Sequence, residues 1–343
     1  MNPVGLVTWS LAFLGSASAA AQSAPSVVWE EPTPGLGSNS VTAVGWSPIG
    51  NGGGDGVAVG STDRWLRLRA PRDGAILYSV LEPPHTHGPG QIAFSTDGGL
   101  IGVEHRAFGM SFRVHRASDG AALGNVIATL GPDGILTFAP DAALLASTGG
   151  DGTISRWRFS DFTFFRVTGS GYQTVTTTFN FSPDGRLQSA ARRGRITVQQ
   201  RSDGAVVRML AGGSTAVFSP DSSHFAAWGA TPVNQVVVWR TLDWSVAQTL
   251  PAASSEEGFA ALRFTPDGQR LVATGYHPYL DSQGLWQQSG IIRFWRLTDG
   301  AVVWNLDQGT DIAVTSAVAW SPSGSRFAYG LYGGAVATAT TPP

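Results

Sequence analysis

A short pattern recurs seven times along the chain: an aromatic residue, then Ser, Thr or Ala, and in most copies Pro, Asp and Gly. Consecutive copies lie 37 to 56 residues apart. Proline presets φ and glycine accepts positive φ, so this composition is typical of a turn. We therefore predict that a β-strand ends at each aromatic residue and that the chain reverses there. The aromatic residues are Trp46, Phe94, Phe138, Phe181, Phe218, Phe264 and Trp320.

A second pattern follows within each repeat. Alternating apolar and polar residues, as before Trp157, Trp239 and Trp295, indicate a half-buried strand. An Asp-Gly turn such as Asp299-Gly300 and a further short β run come next. Four short antiparallel strands in about 45 residues are typical of a propeller blade. The sequence predicts an all-β, seven-bladed β-propeller, with the ten aromatic residues named so far in the blade cores.

The two ends of the chain are expected to meet. The last repeat supplies three strands and then ends, whereas an orphan strand, Val27-Val28-Trp29, precedes the first repeat. This strand repeats Val302-Val303-Trp304, a fourth strand of the preceding blade. We predict that it completes the last blade, because closure removes the exposed sheet edge that an open array would leave.

Together these repeats resemble the WD-repeat β-propellers over roughly residues 25 to 340. The segment from Ala146 to Trp157 matches the family pattern best, although the Asp that follows Trp in that family is Arg here, as in Trp157-Arg158. Proteins of this family generally act as interaction scaffolds. The resemblance therefore implies a non-catalytic platform that binds a protein or peptide.

The amino-terminal residues are typical of an export signal. An apolar run from Val4 to Leu14 is followed by small residues, which favours a signal peptide over residues 1–21, cleaved after Ala19 or Ala21. Residues 22–343 would then form the propeller, in the periplasm or outside the cell. All 22 basic residues are Arg, and the absence of Lys is typical of a GC-rich, hence bacterial, genome.

Composition excludes several chemistries. The chain has no Cys, which excludes a thiolate nucleophile, a disulfide and an iron–sulfur cluster. It has no Lys, which excludes a Schiff base and a complete phosphate-binding P-loop. A formal net charge of -2 gives no general reason to expect nucleic acid as a partner. No apolar run beyond the signal is long enough to span a membrane, and no cofactor is expected.

The resemblance implies that the loops between blades and those between second and third strands share one rim, and the candidate binding residues fall in three groups there. An insertion between the second and third strands of the sixth blade contains Tyr276, His277, Tyr279 and Trp286, and aromatic residues of this kind dominate binding hot spots. It either binds a partner or folds back over its own blade. The other two groups are His85, His87 and His105 near Glu104, and the arginines Arg64, Arg106, Arg192, Arg193 and Arg195.

Histidines beside a carboxylate suit a divalent metal, but the same loop composition is ordinary, and we predict no metal site. The arginines suit an anion or plain solvation. Three function classes remain: the protein-binding scaffold, a propeller that binds glycans through exposed aromatic rings, and a hydrolase or oxidoreductase with a site near the central channel. No catalytic motif is present in the sequence, so the scaffold is our first hypothesis.

Overall fold

The chain folds into β-sheets. The computed structural model describes residues 27–32, 41–48, 56–82, 89–107, 109–128, 136–141, 144–148, 154–158, 164–168, 176–192, 194–230, 235–252, 257–280, 283–307, 318–330 and 335–342. These residues form strands, turns and bends without a helix. Within these ranges, accordingly, there is no helix with the length and apolar character needed to cross a bilayer.

The strands are short and follow one another along the chain. The first fourteen are β1 (Val27–Pro32), β2 (Val41–Trp46), β3 (Val57–Ser61), β4 (Trp65–Arg69), β5 (Ile76–Leu81), β6 (Pro89–Phe94), β7 (Leu100–Ala107), β8 (Gly109–Arg116), β9 (Ala122–Ala128), β10 (Leu136–Phe138), β11 (Leu144–Thr148), β12 (Ile154–Arg158), β13 (Phe164–Thr168) and β14 (Thr176–Phe181). The others are β15 (Leu187–Arg192), β16 (Arg195–Gln200), β17 (Val206–Phe218), β18 (His224–Ala230), β19 (Gln235–Arg240), β20 (Val246–Pro251), β21 (Gly258–Phe264), β22 (Arg270–Leu280), β23 (Trp286–Arg296), β24 (Val302–Asp307), β25 (Val318–Trp320), β26 (Arg326–Gly330) and β27 (Ala335–Thr340).

Six antiparallel sheets result, five of four strands and one of seven. The seven-stranded sheet consists of two four-stranded halves that share β17: its first part, to Ala211, pairs with β16, and its second part, from Gly212, pairs with β18. The chain therefore contains seven four-stranded units. In order, units 1 to 7 are β2–β5, β6–β9, β10–β13, β14–β17, β17–β20, β21–β24 and β25–β27 with β1.

The aromatic repeat sets the strand ends, as predicted. The first strand of every unit ends at the repeated aromatic residue. In four units the Ser or Thr that follows donates a hydrogen bond from its hydroxyl to the Asp two residues on, at 2.5–2.6 Å. That Asp accepts a backbone N–H two residues further, so the turn is closed locally. The pairs are Ser95–Asp97, Ser182–Asp184, Ser219–Asp221 and Thr265–Asp267.

The turn between the third and fourth strands requires a left-handed residue. Glycine fills this position at Gly74, Gly120, Gly204 and Gly300, with φ between 72° and 78°. In unit 5 the residue is Trp244, with φ 59°, as expected from the alignment of Asp243-Trp244 with the Asp-Gly turns. Its ring packs edge-on to Phe225 with centroids 5.9 Å apart, so packing accompanies an unfavourable backbone conformation.

Each unit packs its face against the next. Clusters of buried apolar residues join units 1 and 2, 3 and 4, 4 and 5, 5 and 6, 6 and 7, and 7 and 1, and β6 contacts β10 between units 2 and 3. Of the ten predicted core aromatic residues, Phe94 and Trp320 are half-buried. The other eight are buried: Trp46, Phe138, Trp157, Phe181, Phe218, Trp239, Phe264 and Trp295.

The amino-terminal strand completes the last unit. β1 pairs antiparallel with β27, from Val27 opposite Ala339 to Pro32 opposite Ala335. The sheet order is β1, β27, β26, β25, so the outermost strand of unit 7 comes from the opposite end of the chain. The predicted pairing of Val27–Trp29 with the last strand is confirmed.

Candidate functional site

The insertion of unit 6 is a regular β-hairpin. The sequence predicted a loop at Tyr276, His277, Tyr279 and Trp286, and this is wrong, because these residues belong to β22 and β23. The ladder of β22 and β23 runs without a break from Arg270 opposite Arg296 to Leu280 opposite Trp286. Among the described residues, β21 pairs with β22 as far as Tyr276, and the positions from His277 to Leu280 pair with those from Trp286 to Ser289. The hairpin thus projects past its sheet.

Apolar side chains are exposed on the projecting hairpin, which we define as residues 276–289. Tyr276 is 37% exposed, Leu280 is 55% exposed and Leu285 is 57% exposed. Single exposed apolar residues are ordinary, but three on one narrow projection are a contact surface of the kind that partners bury. His277 and Tyr279 are partly buried, and Trp286 is described only through its backbone pairing with Leu280.

The base of the hairpin is anchored by a buried ion pair. Arg293 in β23 donates from both terminal nitrogens to the carboxylate of Glu257, the residue before β21, and from Nε to Asn305 Oδ1 at 3.1 Å. Glu257 and Arg293 are 4% and 3% exposed. His277 Nδ1 lies 4.0 Å from Glu257 Oε1. A bidentate pair of this kind fixes direction as well as distance, so it holds the residue before β21 against β23 at the base of the hairpin.

Gly275 allows β21 to reach the base of the projecting hairpin. A Cβ on Gly275 would stand 1.9 Å from the carbonyl oxygen of Gly258, and the three nearest atoms are all backbone atoms of β21, so no side chain can move aside. We expect Gly275→Ala to lower the free energy of unfolding by about 1–3 kcal/mol in urea titrations, because the strands must separate. Gly284→Ala is the control: Gly284 has φ 75° with open space around it, so that variant carries only the backbone cost, roughly 1 kcal/mol. Equal losses in the two variants would contradict this explanation.

Of the three predicted histidines, the structure describes His105, and this residue is not on the surface. His85 and His87 lie outside the described residues. His105 is 3% exposed, and its Nε2 lies 3.0 Å from Glu82 Oε2, while Glu104 is buried too. Among the described residues, no group of three or more His, Asp or Glu side chains is arranged so that it could hold a metal ion.

Glu82 instead sits at the centre of a buried cluster between units 1 and 2. Besides His105, its carboxylate contacts His115 Nε2 at 2.7 Å and Arg113 Nη1 at 3.3 Å. The other nitrogen of His115, Nδ1, faces the carbonyl of Gly120 at 2.9 Å. Burial alone would raise the pKa of Glu82, but the hydrogen bonds and charges of His105 and His115 hold it at about 2.

This cluster predicts a loss of stability in acid. The folded-state pKa of Glu82 is about 2, below its ordinary value of 4.5, so its contribution is complete above pH 4.5 and disappears as the pH falls towards 2. We expect the free energy of unfolding to fall over that range, with roughly 3 kcal/mol of the fall due to Glu82. The measurement is urea unfolding at several pH values in wild type and Glu82→Gln. The difference in the free energy of unfolding between the two proteins should shrink towards pH 2. A difference that stays constant with pH would contradict the role of the Glu82 carboxylate.

The predicted arginines lie at turns between second and third strands. Arg64, with φ 71°, belongs to the turn between β3 and β4, and its backbone carbonyl accepts the N–H of Glu82 at 2.9 Å. Arg106 is the penultimate residue of β7, and Arg192 pairs with the exposed Arg195 across the β15–β16 turn, which Gly194 closes with φ 72°. Arg193 lies outside the described residues. The side chains of Arg106 and Arg192 are not described, so these residues share a type of turn rather than a demonstrated cluster.

A cavity of about 280 Å³ lies where the first strands of units 1 to 6 approach one another. The cavity is lined by neutral residues of β2, β6, β10, β14 and β17 and by residues of β21. The neutral residues are alanine, valine, isoleucine, threonine, asparagine and glutamine, together with Phe179. Among the described residues that line it, Arg263 of β21 is the charged one. Sequence reasoning missed this residue. Its signal was available: Arg263 immediately precedes the repeated aromatic residue of its unit, where the other six units have uncharged residues.

A Ser–His–Asp group also occurs, in the turn before β18. Ser223 Oγ donates to Asp221 Oδ2 at 2.6 Å and lies 2.7 Å from His224 Nδ1. In a hydrolytic triad the His lies between the acid and the Ser, whereas here the Ser lies between the other two. This arrangement of the three side chains is typical of a turn that its own side chains stabilise.

Comparisons with known proteins give no assignment. No family model matches the chain, and no curated protein matches it.

Proposed function

We propose that the seven units close into a ring, a seven-bladed β-propeller similar to those of the WD-repeat proteins. Three observations support closure. Apolar clusters or strand contacts join each unit to the next, including unit 7 to unit 1. The first strands of six units share one cavity. β1 brings the start of the chain into the last sheet.

Within this architecture, the function that the geometry supports best is a non-catalytic platform that binds a protein or peptide partner. The projecting hairpin carries this proposal. Its two strands leave the sheet, are anchored at their base by Glu257 and Arg293, and present Tyr276, Leu280 and Leu285 to solvent. A rigid projection with exposed apolar side chains loses little conformational freedom on binding, which favours affinity.

The test compares two substitutions of exposed leucines. Leu280→Ser with Leu285→Ser removes apolar surface from the projecting hairpin, and Leu242→Ser removes a leucine that is 95% exposed in the turn between β19 and β20. Each protein is used to capture partners from the envelope of the source cells. We expect a stoichiometric partner with wild type and Leu242→Ser and its loss with the double variant. Capture that is equal for all three proteins, or absent for wild type, would contradict the proposal.

Glycan binding is the second candidate, because one observation favours it. The Tyr276 ring packs against the backbone of Gly258, where a Cβ would lie 2.6 Å from Cζ, so the ring is held in place while 37% of the residue stays exposed. Fixed aromatic faces suit sugar stacking. A glycan array probed with wild type and Tyr276→Ala distinguishes glycan binding from binding of a protein partner. Specific array signals that are lost in the variant would support glycan binding.

We also propose that the protein is exported and that its site of action is the periplasm or the cell exterior. The apolar run and small residues at the start of the sequence support this proposal. Mass spectrometry of the protein purified from its native cells should find a mature chain that begins at Ala20 or Gln22. A chain that retains Met1 would contradict export by signal cleavage.

A further inference from the structure

One position of the repeat carries a charge in only one unit. The residue immediately before the repeated aromatic is uncharged in six units and is Arg263 in unit 6. The six uncharged residues are Gly45, Ala93, Thr137, Asn180, Val217 and Ala319. Turn chemistry does not require an arginine here, because the other six units form the same strand end without one.

Arg263 lies in the cavity that the first strands share. It is exposed to the solvent inside the cavity, and its Nη1 donates to the carbonyl of Leu262 at 2.9 Å. Among the described residues, no carboxylate forms an ion pair with it, and none lines the cavity.

The rest of the cavity supplies neutral polar groups and apolar surface. Thr137 and Asn180 occupy the equivalent positions in units 3 and 4, and Ile92 and Phe179 supply apolar surface. A guanidinium binds a carboxylate through two parallel hydrogen bonds, and one positive charge balances one negative charge. A doubly charged phosphate would leave a charge uncompensated. The volume of about 280 Å³ is near the lower end of the roughly 300–1,000 Å³ usual for ligand pockets, which favours a small molecule.

We propose that this cavity binds a small organic acid through its carboxylate, with Arg263 as the anion-binding residue. This inference does not depend on the projecting hairpin or on its partner. It adds a ligand site to a chain whose sequence contains no recognised ligand motif.

The experiment is isothermal titration calorimetry of the full chain at pH 7 and constant ionic strength. The probes are acetate, butyrate and benzoate, with benzamide as the uncharged counterpart of benzoate and inorganic phosphate as the competing anion. We expect at least one carboxylate to bind with a stoichiometry of one, and benzamide and phosphate to bind at least 10-fold more weakly. Arg263→Gln should weaken carboxylate binding by about 10- to 100-fold, since a charge-assisted bidentate contact is lost.

Two further variants keep the result interpretable. Arg240→Gln removes an exposed arginine whose nearest partners are at 3.4 Å, and it should bind as wild type does. Arg263→Lys keeps the charge without the planar fork and should bind with intermediate affinity. Thermal unfolding confirms that each variant is folded. The proposal is overturned if no carboxylate binds, if phosphate binds more tightly than every carboxylate, or if Arg263→Gln binds as well as wild type.

Discussion

Substitution of Glu82 by Gln is expected to lower the free energy of unfolding by about 3–5 kcal/mol at neutral pH, the range found when one partner of a buried ion pair is removed. Glu82 is 1% exposed and contacts two histidines and Arg113. The amide keeps the shape of the side chain but loses the charge. It also turns an NH₂ group towards a neighbouring donor, so at least one buried donor loses its acceptor.

Urea unfolding followed by Trp fluorescence measures this loss. Asp119→Asn is the matched control, because Asp119 forms an ion pair with Arg116 at 2.7 Å in the same unit, but both side chains are about half exposed. Exposed pairs are screened by water, so we expect a much smaller change there. If the free energy of unfolding of Glu82→Gln fell by less than about 1 kcal/mol, the Glu82 carboxylate would not stabilise the histidines and Arg113 around it.

The strand framework could be predicted because its signals are local. In four units the first strand ends at its aromatic residue because the hydroxyl and the Asp that follow close a turn within five residues, as at Ser95 and Asp97. The same holds for the Asp-Gly turns between third and fourth strands. Pairing of β1 with β27 was predictable for another reason. If every unit has four strands, the last unit lacks one strand and one strand before the first unit has no unit of its own, so the second must complete the first.

The buried clusters could not be predicted, because their members are distant in sequence. Glu82 precedes β6, and its partner Arg113 lies 31 residues further on, in β8. Glu257 and Arg293 are 36 residues apart and hold the equivalent place in unit 6. No local composition marks an acid in such a connection as buried. His105 was therefore predicted on a surface from its residue type, although packing places it inside.

The projecting hairpin was mistaken for an irregular loop for a related reason. Residues 276–288 mix aromatic, polar and glycine residues without the alternation that marks a half-buried strand. Both faces of a two-stranded projection meet solvent, so alternation is not required there. Its ladder depends on the neighbouring strands at the base, where Gly275 admits the backbone of Gly258.

Removal of β1 should have the second large effect. A chain that begins at residue 33 is compared with one that begins at residue 27, so the two differ only by β1. Roughly four ladder hydrogen bonds at ~0.5–1.5 kcal/mol each predict a loss of about 2–6 kcal/mol. β27 would also become an exposed edge strand. Its side chains Val336, Ala337 and Ala339, which are buried in the full chain, would then lie at that edge, and an exposed apolar edge strand favours aggregation.

The form of the unfolding curve tests the closed ring itself. In a ring, unit 7 supports unit 1 through the cluster that contains Trp46 and Val336, so the loss of β1 should weaken the whole structure. We expect a single transition, shifted to lower urea, in the shorter chain. In an open array, unit 7 would melt first, and a separate early transition would precede an otherwise unchanged main one. That second outcome would contradict closure even if the total loss were as large as predicted, because only a ring makes the first and last units depend on each other.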